Sequence, residues 1–189
     1  MLNYLLKKVN ESSKAKLSLS KSLGNINKSI KLITNSIKKK NKIFLCGNGG
    51  SAADAQHLAA EFLVRLNKHV KRGPIPALSL ALDSSTLTAC SNDFSFDNIF
   101  SRNLEALGNK NDVLIVISTS GNSKNILNVL KKAKDKKIKT IGFFGKNGGR
   151  AKNKTDLPIF VDSTATARIQ ESHIFLGHFI FNEVEKNLI

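Results

Sequence analysis

Cysteine is nearly absent: Cys46 and Cys90 are the only two in 189 residues, so neither a disulfide framework nor a Cys-rich zinc pattern holds this chain together. Long apolar runs are missing too, and none reaches the roughly 18 to 20 residues that span a bilayer. The opening Met1-Leu2-Asn3-Tyr4-Leu5-Leu6-Lys7-Lys8 has too short an apolar stretch, with its charges on the wrong side, for a secretory signal. A cytoplasmic protein with no membrane partner is expected. Acidic residues are scarce as well, 14 against 30 basic ones, for a net charge of +16. Such a charge attracts phosphate backbones, but a nucleic-acid reader would bring clustered Arg or interleaved aromatics. Arg occurs only at Arg65, Arg72, Arg102, Arg150 and Arg168, and the lysines are scattered apart from runs at Lys38-Lys39-Lys40 and between Lys131 and Lys139. The excess reads as solvated lysine faces. No nucleic-acid partner is expected, and a small anionic substrate suits the charge.

What is present is a chain long enough to bury a core, at 41% hydrophobic and 23% charged. Residues 1–40 carry apolar positions at helical spacing (Leu2, Leu5, Leu6, Val9, then Leu23, Ile26, Ile30, Ile33, Ile37), which predicts two helices joined near Glu11 to Ser13. After residue 40, short β-type runs alternate with helical ones: 42–46, 76–82, 113–117, 140–144 and 157–161. Buried apolar strands separated by helix-length crossovers call for a parallel sheet covered on both faces. The predicted fold class is therefore α/β: a three-layer sandwich with a five-stranded parallel sheet of flavodoxin/Rossmann-like type. An N-terminal helical hairpin precedes it and a long helix from about Thr166 to Asn187 closes it. Ligands of such sheets bind beyond the carboxyl ends of the strands.

Two loops at those ends carry chemistry. The third strand runs into Ser118-Thr119-Ser120-Gly121-Asn122-Ser123 before a helix starts at Lys124. Four hydroxyls and a glycine at a helix start gather donors, free N–H groups and the positive dipole end in one small volume, which suits a phosphate. An N-cap needs only one of those hydroxyls, and the absence of Gly-Lys-Ser/Thr excludes a Walker loop. The first strand ends in Gly47-Asn48-Gly49-Gly50-Ser51-Ala52-Ala53-Asp54. Its G-x-G-x-x-A spacing raises a nicotinamide dehydrogenase as a competing class, but no acidic residue stands about 20 positions on to hold a ribose. The glycines equally serve a close approach of backbone to a sugar, with Asn48 and Ser51 as neutral donors.

The next helix places His57 and Glu61 four apart, on one face, able to act as a general acid/base pair or as two metal ligands. The stretch around them is otherwise apolar, where a carboxylate would be desolvated. The C-terminal helix contributes His173 and His178 among apolar neighbours, and each reads equally as a core histidine or a functional one.

The run Cys46 to His57, the loop Ser118 to Ser123, the segment Ser91-Asn92-Asp93-Phe94, and Arg168-Ile169-Gln170-Glu171 with His178 together resemble the phosphoheptose isomerases, sedoheptulose 7-phosphate isomerases of the sugar isomerase (SIS) fold. The resemblance covers essentially the whole chain. It implies a single SIS domain over 1–189, with 1–40 a helical extension used in oligomerisation. The implied activity is an aldose-ketose isomerase turning sedoheptulose 7-phosphate into D-glycero-D-manno-heptose 7-phosphate, the entry step to bacterial surface heptose of lipopolysaccharide or capsule. By the same resemblance His57, Glu61, Gln170 and His178 are ligands of one Zn²⁺ per subunit. Asn48, Gly49, Gly50, Ser51, Asn92, Asp93, Ser118, Thr119, Ser120 and Ser123 hold the sugar phosphate, with Glu61 and Gln170 also touching it. A homotetramer with active sites at subunit interfaces is implied. Lys124 departs from the proline often found at that helix start and adds a cation; Asn67 to Arg72 looks like a local insertion. A non-catalytic sugar-phosphate sensor or DnaA-associating relative should lose acid, base or metal positions, and this chain keeps all four.

Chemically, moving a carbonyl from C2 to C1 needs a base for the C1 proton, a stabiliser for the enediolate and an acid to return a proton to C2. Glu61 is the expected base and His178 the expected acid. A zinc-bound histidine cannot freely trade protons, so either the pair works directly or the metal is the electrophile and Glu61 alone shuttles. Gln170 and His178 lie eight apart, roughly 12 Å of helical rise, so on one metal with bonds of about 2 Å the two side chains would have to bend strongly toward each other. The expectation is that they come from different subunits.

Overall fold

The computed structural model describes residues 1–189. Helices α1 (Leu2–Leu17) and α2 (Leu23–Lys38) precede β1 (Ile43–Gly47), α3 (Gly50–Leu63) and β2 (Ala77–Ser79). There follow α4 (Ser84–Asp93), α5 (Ile99–Leu107), β3 (Val113–Ser118), α6 (Lys124–Asp135), β4 (Lys139–Phe144), β5 (Leu157–Phe160) and α7 (Thr166–Lys186). The five strands form one parallel sheet in the order β2-β1-β3-β4-β5, as the alternating pattern predicts. No helix is long and apolar enough to cross a membrane.

The strands are apolar on both faces because both are covered. Ile43 and Leu45 of β1 with Val113, Ile115 and Ile117 of β3 meet α2, α3 and α7. Phe44, Cys46, Leu114 and Val116 point the other way, against α5 and α6. The chain therefore leaves β1 over one face and β3 over the other, although the two strands are neighbours paired from Ile43↔Val113 to Gly47↔Ile117. That divergence opens a crevice between the glycine loop and the serine loop, where ligands of open α/β sheets bind.

The N-terminal hairpin bends later than its sequence suggests. Glu11 to Ser13 lie inside α1, and the break is a 3₁₀ segment at Ser18–Ser22. Ser18 and Ser20 donate to the carbonyls of Ala15 and Leu17, side-chain bonds that compete with the helix ladder. Glu11 is instead satisfied within the helix by Lys8, and Ser12 donates to Glu171 of α7 at 2.7 Å.

Candidate functional site

The serine turn is largely built from its own backbone. The Ser118 hydroxyl accepts from the Gly121 amide at 3.0 Å and the Ser120 hydroxyl from Asn122 at 3.2 Å. Gly121 holds φ at +64° with the Gly148 carbonyl where a side chain would stand, a position only glycine fills without strain. Ser123 is the N-cap of α6, yet its side chain makes no capping bond. That hydroxyl is not engaged by its own helix.

The glycine loop is fastened to it by a residue outside the predicted set. Asn125, 1% exposed, exchanges two amide hydrogen bonds of 2.9 Å with Asn48, bridging the two neighbouring strand ends. Of the other predicted sugar contacts, Gly49 and Gly50 are exposed at the start of α3 and Ser51 is buried beneath them. Thr119 is half-buried, whereas Asn92 and Asp93 sit exposed at the end of α4, bonded to each other at 2.9 Å.

His57 and Glu61 of α3 meet His178 of α7 within one chain. His57 Nε2 lies 2.8 Å from His178 Nε2 and 3.3 Å from Glu61 Oε1, and one ligand atom from each falls within 4.8 Å of the others. Two imidazole nitrogens and a carboxylate oxygen are a donor set suited to Zn²⁺, and nitrogens this close fit adjacent positions around one metal ion. Burial lowers the pKa of His178 from its ordinary value, and neighbouring His57 lowers it further while Glu61 opposes.

Gln170 does not join this cluster. Its amide lies against Gly50, where a side chain on that residue would collide with it, two turns before His178. The packing explains both placements, because α3 and α7 run side by side in the same direction: Gly50 faces Gln170, Leu58 faces Gly177, and Phe62 stacks on Phe181 with centroids 3.6 Å apart. Glu61 and His178 thus come together within one chain, while Gln170 and His178 stand apart on α7.

The two histidines of α7 part company. His173 is fully buried with neither ring nitrogen hydrogen-bonded, and burial drives its pKa down to about 4, with the Phe144 backbone opposing. It is a core residue. One turn before His57, Asp54 has a buried Oδ2 with no partner; burial raises it to about 6, with His57 opposing. Sequence reasoning passed over Asp54, although its place in the stripe Gly50, Asp54, His57, Glu61 is legible as helical spacing.

The model of the SIS domain family matches residues 9–145. The chain is 45% identical to the phosphoheptose isomerase of Clostridium acetobutylicum, over 100% of this chain and 96% of that one. Among solved structures it is similar to the phosphoheptose isomerase of Neisseria gonorrhoeae, with TM-score 0.90 and 36% identity over 98% of each chain. It is likewise similar to that of Francisella tularensis, with TM-score 0.92 and 32% identity over 98% of each.

Proposed function

The chain belongs to the phosphoheptose isomerase family of SIS-domain proteins, and from that membership we propose that its own reaction is the conversion of sedoheptulose 7-phosphate to D-glycero-D-manno-heptose 7-phosphate. It is an isomerase, and the class of its substrate is a sugar phosphate. The observation that carries the residue roles is the convergence of Glu61 and His178 at the edge of the sheet that also bears the serine turn.

Ser118, Thr119, Ser120 and Ser123, with the free N–H groups and positive end of α6, hold the phosphate. Asn48, Gly49, Gly50, Ser51, Asn92, Asp93 and Gln170 line the path of the sugar. Glu61 takes the C1 proton; with the His178 imidazole free of metal it supplies the proton on the C2 side, and with His178 serving as a ligand Glu61 returns the proton itself. The half-buried setting of the cluster limits competition from water for the developing negative charge. His57, Glu61 and His178 are the residues that would hold Zn²⁺, which when bound supplies a Lewis acid for the substrate oxygens. Gln170 completes that set only when a neighbouring subunit donates it, because its own-chain copy sits two turns away.

A homotetramer with shared sites is the proposed assembly. Its support is the apolar surface of α1 and α7, where Leu2, Leu5, Leu6, Val9, Phe175 and Phe179 stand exposed. The whole chain is read as one SIS domain working in the cytoplasm, where its two cysteines stay free. Phosphorus NMR with sedoheptulose 7-phosphate is the test. Formation of the heptose 7-phosphate, lost on chelation and restored by Zn²⁺, is expected. Full turnover in chelator would assign proton transfer to Glu61 and His178 without metal, and no conversion in either condition would refute the reaction.

A further inference from the structure

The loop between α3 and β2 carries a charged group that the site above does not use. The side chains of Arg72 and Glu185 are 6% and 0% exposed. Arg72 Nε donates to Glu185 Oε1 at 2.7 Å, Nη1 to the carbonyls of Phe62 at 2.8 Å and Gly73 at 2.9 Å, and Nη2 to the Glu61 carbonyl at 2.8 Å. Glu185 also accepts from the amides of Leu66 and Asn67, at 3.2 and 3.1 Å. The carbonyls of Glu61 and Phe62 belong to the last turn of α3, where the helix itself leaves acceptors unfilled. A cation at that end also complements the helix dipole. One buried fork therefore joins the residue that bears the catalytic carboxylate to the far end of α7.

We propose that Arg72, acting through Glu185, is a positioning residue that fixes α3 against α7 and so sets where His178 stands relative to His57 and Glu61. The inference rests on reading that cluster as the reaction centre. The two helices meet along a line of contacts from Gly50 and Gln170 to Leu66 and Glu185. Most of this line is apolar, and apolar burial is non-directional: it resists separation of the helices but only weakly resists sliding along their axes. The planar guanidinium bonds in fixed directions to both helices, and it does so within one turn of Glu61. A slide of one helix past the other would directly change the 2.8 Å separation between His57 and His178, while the 3.3 Å spacing of His57 and Glu61 within α3 would stay.

The test compares Arg72→Met, Glu185→Gln and the double variant Arg72→Met/Glu185→Met in the zinc-loaded full-length protein. Melting temperature, kcat and KM for sedoheptulose 7-phosphate are measured, together with zinc affinity by competition with a chromophoric chelator. Arg72→Met should weaken zinc binding by about 10-fold or more and lower kcat by a similar factor, while KM changes by less than about threefold because the phosphate turn lies on the other side of the crevice. The double variant removes both buried charges, and should recover the melting temperature but neither kcat nor zinc affinity. Recovery of all three would make the pair a stabiliser only, and would overturn the proposal. Should Arg72→Met fail to fold, Glu185→Gln, which keeps one of the two acceptor oxygens met by the Leu66 and Asn67 amides, carries the same comparison. If the wild-type protein shows no isomerase activity, the functional reading falls, while the zinc affinities still decide whether Arg72 positions the cluster.

Discussion

The serine turn and the imidazole–carboxylate cluster lie at the same edge of one sheet and are built by opposite means. The turn is local: its hydroxyls, amides and glycine fall within six consecutive residues and satisfy one another across two or three positions. The cluster is assembled from residues 121 apart in sequence, and its shape depends on the packing of α3 on α7 and on the Arg72–Glu185 bonds that cross to both helices. Short-range hydrogen bonds shape the turn, with the segment from Gly148 to Ala151 bracing it from outside, whereas the geometry of the cluster follows the helix interface.

The sharpest way to break this comparison is at Glu61. Glu61→Gln should fold, should still bind the sugar phosphate through the turn, and should lose roughly 10²- to 10⁴-fold in kcat; near wild-type turnover by phosphorus NMR would remove Glu61 as the base. Mixing Glu61→Ala with Gln170→Ala protomers should return part of the activity if neighbouring subunits exchange Gln170, whereas Glu61→Ala with His178→Ala should return none.

Next in size is the acid response of α7, whose His173 packs toward Phe143 of the sheet. His173 has a native pKa near 4 against about 6.5 unfolded, so the unfolded chain binds the extra proton between those values. The stability this histidine contributes is intact above pH 6.5 and is lost as pH falls toward 4, by about 3 kcal/mol. Asp54 works in the opposite sense over much of the same range, since its raised pKa makes the folded chain the better proton binder there. Denaturant titrations from pH 7 to 4 should show a slope that His173→Leu abolishes or reverses; an unchanged slope would separate acid lability from α7.

Smaller effects probe the turn. Asn125→Ala leaves Asn48 without its partner and should cost about 1 to 3 kcal/mol in stability, with KM raised more than kcat is lowered. Ser123→Ala should leave the melting temperature unchanged, because that side chain makes no capping bond. It should raise KM about tenfold through a lost hydrogen bond to a charged group. A fall in melting temperature without a change in KM would return Ser123 to a purely helix-capping role.

The contrast also explains what could be read from the sequence. The strands and both loops were legible because short continuous apolar runs and strand-to-helix punctuation are local signals, and the helix spacing of His57 and Glu61 is local too. The bend at Ser18–Ser22 was not, because its cause is side-chain bonding by Ser18 and Ser20 and the burial of Leu19, which only the folded hairpin shows. Asn125 and the Arg72–Glu185 pair were missed for the same reason: their partners lie 77 and 113 residues away. The ambiguity between the α7 histidines was resolvable, since Ile169, His173, Leu176 and Ile180 form one buried stripe while Gln170, Ile174 and His178 form the next.

The reciprocal bridge between Asn48 and Asn125 ties the two loops at a set spacing. Under the proposed reaction that spacing acts as a gauge: a sugar phosphate shorter by one carbon, held by the same turn, would present the wrong atom to Glu61.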